Sequence, residues 1–195
     1  MYGFWNPRVL GAWKVPTTGP LIMAVNHAHN LDGPMLMGTA PRPVHFLIKK
    51  EAFVGPLGPF LTRIGQVKVD RSGTDRTAVT NALGVLERGG VLGIFPEGTR
   101  GEGDFASLRA GLAYFAVRTG APVVPVAVLG SAERRGRLVK GLPPLRGRVD
   151  VVFGDAFEAG DGTGRRTRTA LDAATHRIQD RLTAHLADAK RRTGR

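Results

Sequence analysis

The chain has 195 residues, of which 42% are hydrophobic and 23% charged, so it can bury a core and is not intrinsically disordered. It contains no Cys, which excludes disulfides, thiolate nucleophiles and zinc–thiolate or iron–sulfur sites and is compatible with a reducing compartment. No apolar run approaches the roughly 18 residues of a membrane-spanning helix. Residues 1–10 also lack the basic start and apolar stretch of a signal peptide.

The formal net charge of +12 is concentrated in two segments. Residues 131–148 carry a net charge of +5 and residues 165–195 a net charge of +6, so the rest of the chain is nearly neutral. Such segments attract nucleic acid or an anionic lipid surface, although solvated loop and helix faces explain them equally well. Aromatic residues make up only 7% and no nucleic-acid reader motif is present, so we expect no nucleic-acid partner.

Apolar runs typical of strands alternate with helical patterns along the chain. Strands are predicted at residues 21–25, 45–48, 67–69, 91–95, 123–129 and 149–153. Helices are predicted at residues 33–39, 52–64 (interrupted by two Gly-Pro pairs), 75–88, 108–119 and 167–190. The alternation predicts one α/β domain over residues 1–195, with a mixed, mostly parallel sheet flanked by helices. Pro125 inside its predicted strand indicates an edge position or a bulge.

The first of two polar segments that follow predicted strands is residues 26–32, and ligands collect at such positions in α/β sheets. His27 can accept a proton at neutral pH, and Asp32 can reach back to hold the imidazole and stabilise its charged form. We expect this pair to activate a substrate hydroxyl, because the chain has no Cys and none of its serines (Ser72, Ser107 and Ser131) has a nucleophile-elbow context. A helix cap beside two incidental histidines explains the segment equally well.

The second polar segment, residues 95–100, indicates an anionic substrate. Arg100 offers a planar guanidinium suited to phosphate, while Gly98 and Thr99 provide backbone and hydroxyl donors at close approach. Glu97 is placed to form an ion pair that orients the arginine. A Pro-Glu-Gly turn followed by an exposed arginine is the alternative interpretation.

Together these segments resemble the glycerolipid acyltransferases, specifically the 1-acylglycerol-3-phosphate acyltransferases. Asn26-His27 with Asp32 matches one block of that family, and Phe95-Pro-Glu-Gly-Thr-Arg100 matches another. Residues 65–71 and 123–126 are similar to its second and fourth blocks, in the order that the family uses. The resemblance covers about residues 20–130, and it implies a glycerol-3-phosphate acyltransferase-like fold.

The resemblance implies a role for each matched residue. His27 would deprotonate the acceptor hydroxyl, which attacks the thioester of acyl-CoA or acyl-carrier protein, while Asp32 would hold His27. Pro125 would help to line the acyl-binding region. The pocket for the acceptor phosphate would be shaped by five residues: Arg71, Glu97, Gly98, Thr99 and Arg100. Neither a metal nor a prosthetic group is expected.

The implied reaction is O-acylation of 1-acylglycerol-3-phosphate to phosphatidic acid, in phospholipid biosynthesis. Another lysolipid or a glycolipid as acceptor, and a basic nucleic-acid-binding module, are the alternatives. A metal-dependent hydrolase is a further alternative, because His27 and His29 resemble part of a His-x-His-x-Asp-His cluster. In this chain, however, the carboxylate of Asp32 comes one position late and no His follows it.

The chain departs from the family at two places. Lys68 stands where the second block usually has an aromatic residue or Pro. No apolar helix pair precedes the first block, so we expect peripheral attachment to the inner face of the cell membrane, or an incomplete gene product. Interfacial anchors are predicted in two places: the aromatic residues Tyr2, Phe4, Trp5 and Trp13, and an outward basic face of the last helix with Arg177 and Arg181. Packing of the aromatic residues onto the domain explains them at least equally well.

Overall fold

The computed structural model describes residues 4–70, 72–73, 75–98, 103–105, 108–131, 146–160, 162 and 167–195. Within them, one sheet contains the strands β1 (Asn6–Leu10), β2 (Leu21–Val25), β3 (Val44–Lys49), β4 (Val67–Val69), β5 (Val91–Ile94), β6 (Val123–Leu129) and β7 (Arg148–Phe153). The α-helices are α1 (Asp32–Thr39), α2 (Leu57–Arg63), α3 (Arg76–Glu87), α4 (Gly111–Thr119) and α5 (Arg168–Thr193). Short 3₁₀ helices occupy Ala12–Lys14 and Lys50–Ala52.

The sheet is mixed and mostly parallel, as predicted. Its strand order is β1-β7-β6-β2-β5-β3-β4. Strands β2 to β6 run in the same direction, β7 is antiparallel to β6, and β1 is parallel to β7. The carboxyl ends of β2 to β6 therefore meet at one edge of the sheet, which we term the carboxyl edge. Loops at this edge are where ligands bind in open α/β sheets.

Helices cover both faces of the sheet, which explains why every residue of β2 and β6 is buried. Helices α3, α4 and α5 pack on one face through residues such as Leu86, Leu112 and Ile178. Helix α1 packs on the other face, where Met35 and Leu36 belong to the same buried cluster as residues of β3 and β7. The predicted apolar stripe of the last helix is confirmed, since α5 buries Ala174, Ile178, Leu182 and Leu186.

Strand β1 was not predicted. Its sequence begins Asn-Pro, and both residue types are depleted in strands. Among the strands that the structure describes, β1 pairs with β7 alone, at the border of the sheet, where proline is tolerated. Tertiary pairing thus overrides local propensity here.

Pro125 lies inside the sheet, because β6 is flanked by β2 and β7. Val126 pairs with Phe153, whereas Val123 bridges Phe157, so the register shifts by one residue around the proline. This shift is a bulge whose extra residue lies between Phe153 and Phe157, so Pro125 stands opposite a bulge, close to the second of the two positions that the sequence indicated.

Two helices are shorter than predicted. The range 52–64, predicted as one helix, begins at the last residue of the 3₁₀ helix Lys50–Ala52, continues as a non-helical connection and contains the seven residues of α2. The predicted helix over residues 108–119 begins only at Gly111, since the Arg109 N–H donates to the Pro96 carbonyl at 2.8 Å instead of entering a helix. No helix in the described ranges is long and apolar enough to cross a membrane.

The predicted outward basic face of the last helix is partly engaged within the protein. Arg177 Nη1 donates to the carbonyls of Ala159 and Gly160, at 2.5 and 3.0 Å. The guanidinium of Arg181 lies over the Phe157 ring, 5.4 Å from its centroid. Both cations thus secure the connection between β7 and α5. Residues 132–145 of the other basic segment lie outside the described residues.

A buried carboxylate ties the end of α5 to the border of the sheet. The Asp150 side chain is fully buried in β7 and pairs with three arginines. Arg8 Nε of β1 lies 2.6 Å from Asp150 Oδ1, while Arg195 Nε and Arg148 Nε lie 2.9 and 3.2 Å from Oδ2. These contacts connect three segments that are distant in sequence.

Candidate active site

Asn26 fixes the point at which the chain leaves β2. Its side-chain Nδ2 donates to the Val128 carbonyl at 3.1 Å, and the Val128 N–H donates to Asn26 Oδ1 at 2.7 Å. The amide thus bonds to the backbone of β6 just beyond the end of β2, and the loop that follows starts from a rigid position at the carboxyl edge.

Asp32 organises that loop. Its side chain is completely buried, and its Oδ2 accepts hydrogen bonds from the backbone N–H groups of Ala28 and His29 at 2.9 and 2.7 Å. His27 Nδ1 lies 3.3 Å from the same oxygen, within reach of a hydrogen bond when Nδ1 carries the proton. The carboxylate therefore does not simply cap α1: the loop bends so that the carboxylate contacts the imidazole.

Ser131 supplies a further donor to this carboxylate. The residue follows β6, is buried, and its Oγ lies 2.5 Å from Asp32 Oδ1. The sequence predicts no role for Ser131, since it only argues against this residue as a nucleophile. The available signal was positional, because Ser131 follows a strand that runs parallel to β2 in the same sheet, and such strands end at the same edge.

The His27 ring is held between the carboxylate and an aromatic stack. It stacks on Phe95 with 4.0 Å between ring centroids, and Phe95 stacks on Phe46 at 5.2 Å. The His27 side chain is 18% exposed. Because Nδ1 faces Asp32, Nε2 is the ring nitrogen left to accept a proton from a substrate.

The loop after β5 meets the loop after β2 at the same edge. The backbone N–H of His27 donates to Glu97 Oε1 at 3.4 Å, so the two polar segments identified in the sequence adjoin each other. Burial raises the pKa of the Glu97 carboxyl, and the nearby charge of Asp104 raises it further. Glu97 is thus a half-buried acid that contacts the backbone of the histidine loop.

Gly98 permits a close approach of Arg109, a residue for which the sequence predicts no role in the site. Gly98 has a φ of +74°, and a Cβ at this position would collide with the Arg109 side chain. Arg109 is exposed and packs against the turn formed by Glu97 and Gly98. A guanidinium therefore flanks this turn. Arg109 falls within the helix predicted over residues 108–119, so no pattern in the sequence marked it as a site residue.

A mainly apolar cavity of about 450 Å³ adjoins the second loop, between the sheet and helices α3 and α4. Phe95 contributes both to this cavity and to the stack on His27. The charged residues among its lining are Asp70, Asp75 and Arg109. Its apolar lining includes Leu47, Val69, Val79, Ile94, Leu112 and Phe115.

Not every predicted site residue is brought together here. His27, Asp32, Glu97 and Gly98 converge, whereas Arg71, Thr99 and Arg100 lie outside the described residues. Pro125 is not among the residues lining the 450 Å³ cavity; it lines a separate cavity of about 180 Å³ with Gly154 and His185. The reason is lateral, because Pro125 lies on β6, which β2 separates from β5, whereas the 450 Å³ cavity is lined by residues of β3, β4 and β5.

His29, part of the metal-cluster alternative, and Lys68, a departure from the family's second block, both have local contacts in the structure. His29 is buried, and its Nδ1 accepts a hydrogen bond from the Leu31 N–H at 3.2 Å, so that nitrogen serves the local turn. Among the described residues, no three His, Asp or Glu side chains are grouped closely enough to hold a metal ion. Lys68 Nζ lies over the Phe53 ring, 5.4 Å from its centroid.

The chain is similar in sequence to known acyltransferases. The family model described as acyltransferase matches residues 6–129. A 1-acyl-sn-glycerol-3-phosphate acyltransferase of Bacillus subtilis is 27% identical over 90% of this chain and 85% of its own length. A lyso-ornithine lipid O-acyltransferase of Pseudomonas aeruginosa is 33% identical over 76% of this chain and 60% of its own length. The chain spans less than half of the matched plant relatives.

The fold agrees with a solved structure. The 1-acyl-sn-glycerophosphate acyltransferase PlsC of Thermotoga maritima superposes with a TM-score of 0.72, at 23% identity, over 95% of this chain and 74% of that one. The family match covers more than half of the chain, and its residues include both loops that meet at the carboxyl edge. The chain is therefore an enzyme of lipid metabolism that belongs to the acyltransferase family.

Proposed function

We propose that the protein transfers a fatty acyl group from acyl-CoA or acyl-carrier protein to the hydroxyl of 1-acylglycerol-3-phosphate, giving phosphatidic acid. The observation that carries the proposal is the His27–Asp32 pair, which adjoins the Glu97–Gly98 turn at the carboxyl edge. The Bacillus subtilis relative, named for this acceptor, supports the choice of substrate.

In the proposed reaction, His27 acts as general base. Its Nε2 takes the proton of the acceptor hydroxyl while the hydroxyl oxygen attacks the thioester carbonyl. The new C–O ester bond forms, the C–S bond breaks, and the departing sulfur takes the proton back from the imidazolium. Asp32 stabilises the imidazolium and keeps the proton of the neutral ring on Nδ1, leaving Nε2 as the base.

The acceptor phosphate is proposed to bind beside the Glu97–Gly98 turn. Arg109 supports this placement, since its guanidinium packs on Gly98 and suits an anionic oxygen. The family resemblance adds Arg71, Thr99 and Arg100 as contacts to the same phosphate. Glu97 positions the histidine loop through its contact with the His27 N–H.

The acyl chain is proposed to occupy the apolar cavity of about 450 Å³. Phe95 connects this cavity with the imidazole, so a chain lodged there extends from the reacting carbonyl. An apolar lining keeps water from the thioester, and hydrolysis is the reaction that competes with transfer. Pro125 does not line this cavity and has no part in the proposed acyl site.

The test is acyl transfer by the purified protein, with labelled acyl-CoA or acyl-carrier protein and 1-acylglycerol-3-phosphate. His27→Ala should lower turnover by about 10²- to 10⁴-fold, the usual contribution of a general base. His176→Ala is the matched control, because His176 is exposed on α5 away from the site. Wild-type turnover in His27→Ala would overturn the proposal, as would salt-sensitive DNA binding without acyl transfer.

A second acceptor is favoured by a specific observation. The Pseudomonas aeruginosa relative is named for a lyso-ornithine lipid and is 33% identical to this chain. The same base and the same donor would serve that hydroxyl. A panel of lysolipids, assayed with one labelled donor, discriminates the acceptors by kcat/KM.

We also propose that the protein works peripherally at the inner face of the cell membrane, where both the acceptor and the product reside. The finding that supports this placement is the acyltransferase family match together with the lipid acceptors named for the relatives. Fractionation of cells, followed by extraction of the membranes with high salt, tests it.

A further inference from the structure

The segment of residues 53–60 exposes apolar side chains to an unusual extent. Its sequence is Phe-Val-Gly-Pro-Leu-Gly-Pro-Phe, without a single polar side chain. Val54 is 62% exposed, Leu57 46% and Phe60 54%. Within α2, only Gly58 and Leu61 are buried. Contiguous exposed apolar surface of this kind marks an interaction site in soluble proteins.

The segment leaves the sheet at the carboxyl edge. Strand β3 ends there at Lys49, and the segment follows after the 3₁₀ helix Lys50–Ala52. Lys50 Nζ lies 2.6 Å from Asp70 Oδ2, and Asp70 both follows β4 at that edge and lines the 450 Å³ cavity. The beginning of the exposed segment is thus linked by one ion pair to the cavity proposed for the acyl chain.

The segment begins beside β4, at the border of the sheet. Val67 and Val69 of β4 pack with residues of α3, whereas the Nζ of Lys68 between them lies over the Phe53 ring. Phe53 also lines a cavity of about 520 Å³ with Thr80 of α3. The segment thus follows a strand, β3, that ends at the same carboxyl edge as the strand before the histidine loop.

Basic side chains border the segment. Lys49, Lys50, Arg63 and Lys68 are exposed, against two acidic residues in the same stretch, Glu51 and Asp70. Apolar side chains bordered by Lys and Arg are typical of surfaces that insert into an anionic bilayer, where the cations meet lipid phosphates.

The size of the surface argues against a second protein copy as its occupant. A stable protein–protein interface takes roughly 20–30 residues from each side. The segment offers eight residues, of which Val54, Leu57 and Phe60 are the exposed apolar side chains large enough to anchor it. A few such side chains suffice for shallow insertion into a bilayer, because each buried CH₂ contributes to membrane affinity.

We propose that residues 53–60 dock the protein on an anionic lipid bilayer, with Val54, Leu57 and Phe60 inserted between headgroups. The proposal rests on the proposed function, since docking by this segment brings the carboxyl edge to the surface in which an acceptor lipid lies. It assigns the membrane contact to a segment other than the predicted aromatic and helical anchors.

The test is co-flotation of the full chain with vesicles of phosphatidylcholine alone or mixed with phosphatidylglycerol. The wild type should bind the mixed vesicles, and the triple variant Val54→Ser, Leu57→Ser, Phe60→Ser should bind them at least about tenfold more weakly. Trp13→Ser is the matched control: Trp13 is 79% exposed but follows β1, at the opposite edge of the sheet, and its variant should bind like the wild type.

A second experiment tests whether the basic side chains contribute to binding of anionic lipid. The double variant Lys49→Gln, Arg63→Gln should lose affinity for the mixed vesicles but not for phosphatidylcholine alone, and added salt should reproduce the loss in the wild type. Equal losses of affinity for both kinds of vesicle would show that the basic side chains do not select anionic lipid. That result would overturn the anionic part of the proposal.

Two further measurements distinguish a loss of membrane docking from misfolding of the variant and from a loss of catalysis. Hydrogen exchange on the wild type should show protection of residues 53–60 when mixed vesicles are added, which requires no variant to fold. Transfer to an acceptor dispersed in detergent should be unchanged in the triple variant, so failure of docking and failure of the proposed function are separable. The proposal would be overturned if the triple variant bound vesicles as the wild type does. It would also be overturned if the only effect of the substitutions were that the protein no longer self-associates.

Discussion

Ser131 Oγ donates a hydrogen bond to Asp32 Oδ1 across 2.5 Å, joining two loops whose residues are 99 positions apart in the chain. The hydroxyl completes a shell of donors around a fully buried carboxylate, two of which are the backbone N–H groups of Ala28 and His29. Because the carboxylate is also the partner of His27, the end of β6 helps to set the position of the imidazole.

Removal of this hydroxyl should impair turnover more than binding. In Ser131→Ala the carboxylate loses one donor, and a hydrogen bond to a charged group contributes about 1.5–3 kcal/mol. We expect kcat to fall about 10- to 100-fold with KM for both substrates nearly unchanged, since Ser131 contacts Asp32 and not the proposed acceptor site. A parallel rise in KM for the acceptor would contradict this positioning role.

Gly98→Ala should weaken binding of the acceptor. The substitution places a methyl group against the Arg109 side chain and strains a backbone with a φ of +74°. Gly19→Ala is the matched control, because Gly19 has a φ of +78° with nothing within 4 Å of the added Cβ. Both variants should lose about 1 kcal/mol of unfolding free energy, but only Gly98→Ala should raise the acceptor KM in steady-state assays.

Arg109→Ala should raise the KM for a phosphate-bearing acceptor about tenfold, because one charge-assisted hydrogen bond to phosphate is lost. Arg118→Ala, at the far end of α4, serves as the control. The comparison is informative with an acceptor that lacks phosphate, whose KM should not change. An equal effect on both acceptors would show that Arg109 has a structural role only.

The pH dependence of stability should reveal Glu97. Burial raises its pKa above the ordinary 4.5, so the folded state holds its proton at pH values where the unfolded state has lost it. This contribution to stability is present below 4.5 and is lost as pH rises through the raised pKa. Glu97→Gln should therefore be more stable than the wild type at neutral pH and gain less at pH 4, as measured by urea denaturation.

Asp150→Asn should destabilise the protein by roughly 2 kcal/mol, less than a fully buried pair would lose, because the three partner arginines reach solvent. Asp155→Asn is the control, since Asp155 pairs with Lys14 but is 79% exposed, and it should change stability by less than about 1 kcal/mol. Thermal unfolding measures both. Equal stability losses would show that burial of Asp150 is immaterial.

Local patterns in the sequence were sufficient for most of the fold. Six of the strands and the helices α1, α3, α4 and α5 correspond to predicted elements, because their apolar periodicity and their Gly and Pro boundaries agree with the tertiary structure. Strand β1 could not be predicted, since its pairing with β7 is a long-range interaction that the Asn-Pro start conceals. The non-helical connection before α2 contains the pair Gly55-Pro56. The sequence indicated that this pair interrupts a helix, but not that the α-helix begins only after it.

Within the site, residues adjacent in sequence were easier to predict than those contributed by other strands. His27 and Asp32 are five positions apart, so one turn of the chain brings them into contact. Ser131 and Arg109 reach the site only through the parallel arrangement of the strands and a close approach at Gly98, which no local pattern encodes. The family block assigns Pro125 to the acyl-binding region, whereas in the structure it lies on β6 beside Gly154, apart from the cavity that we propose for the acyl chain.

The attachment of Asn26 to the backbone of β6 has a consequence for how such an enzyme can diversify. The histidine loop is anchored to two central strands, whereas the residues proposed to contact the acceptor, apart from Arg71, come from the connection between β5 and α4. Substitutions at Arg109, towards the end of that connection, can therefore change which lipid is selected while the proton-transfer geometry stays intact. Phe95 and Glu97, at its beginning, contact His27 and do not share this freedom, so selectivity can diversify at one end of the connection only.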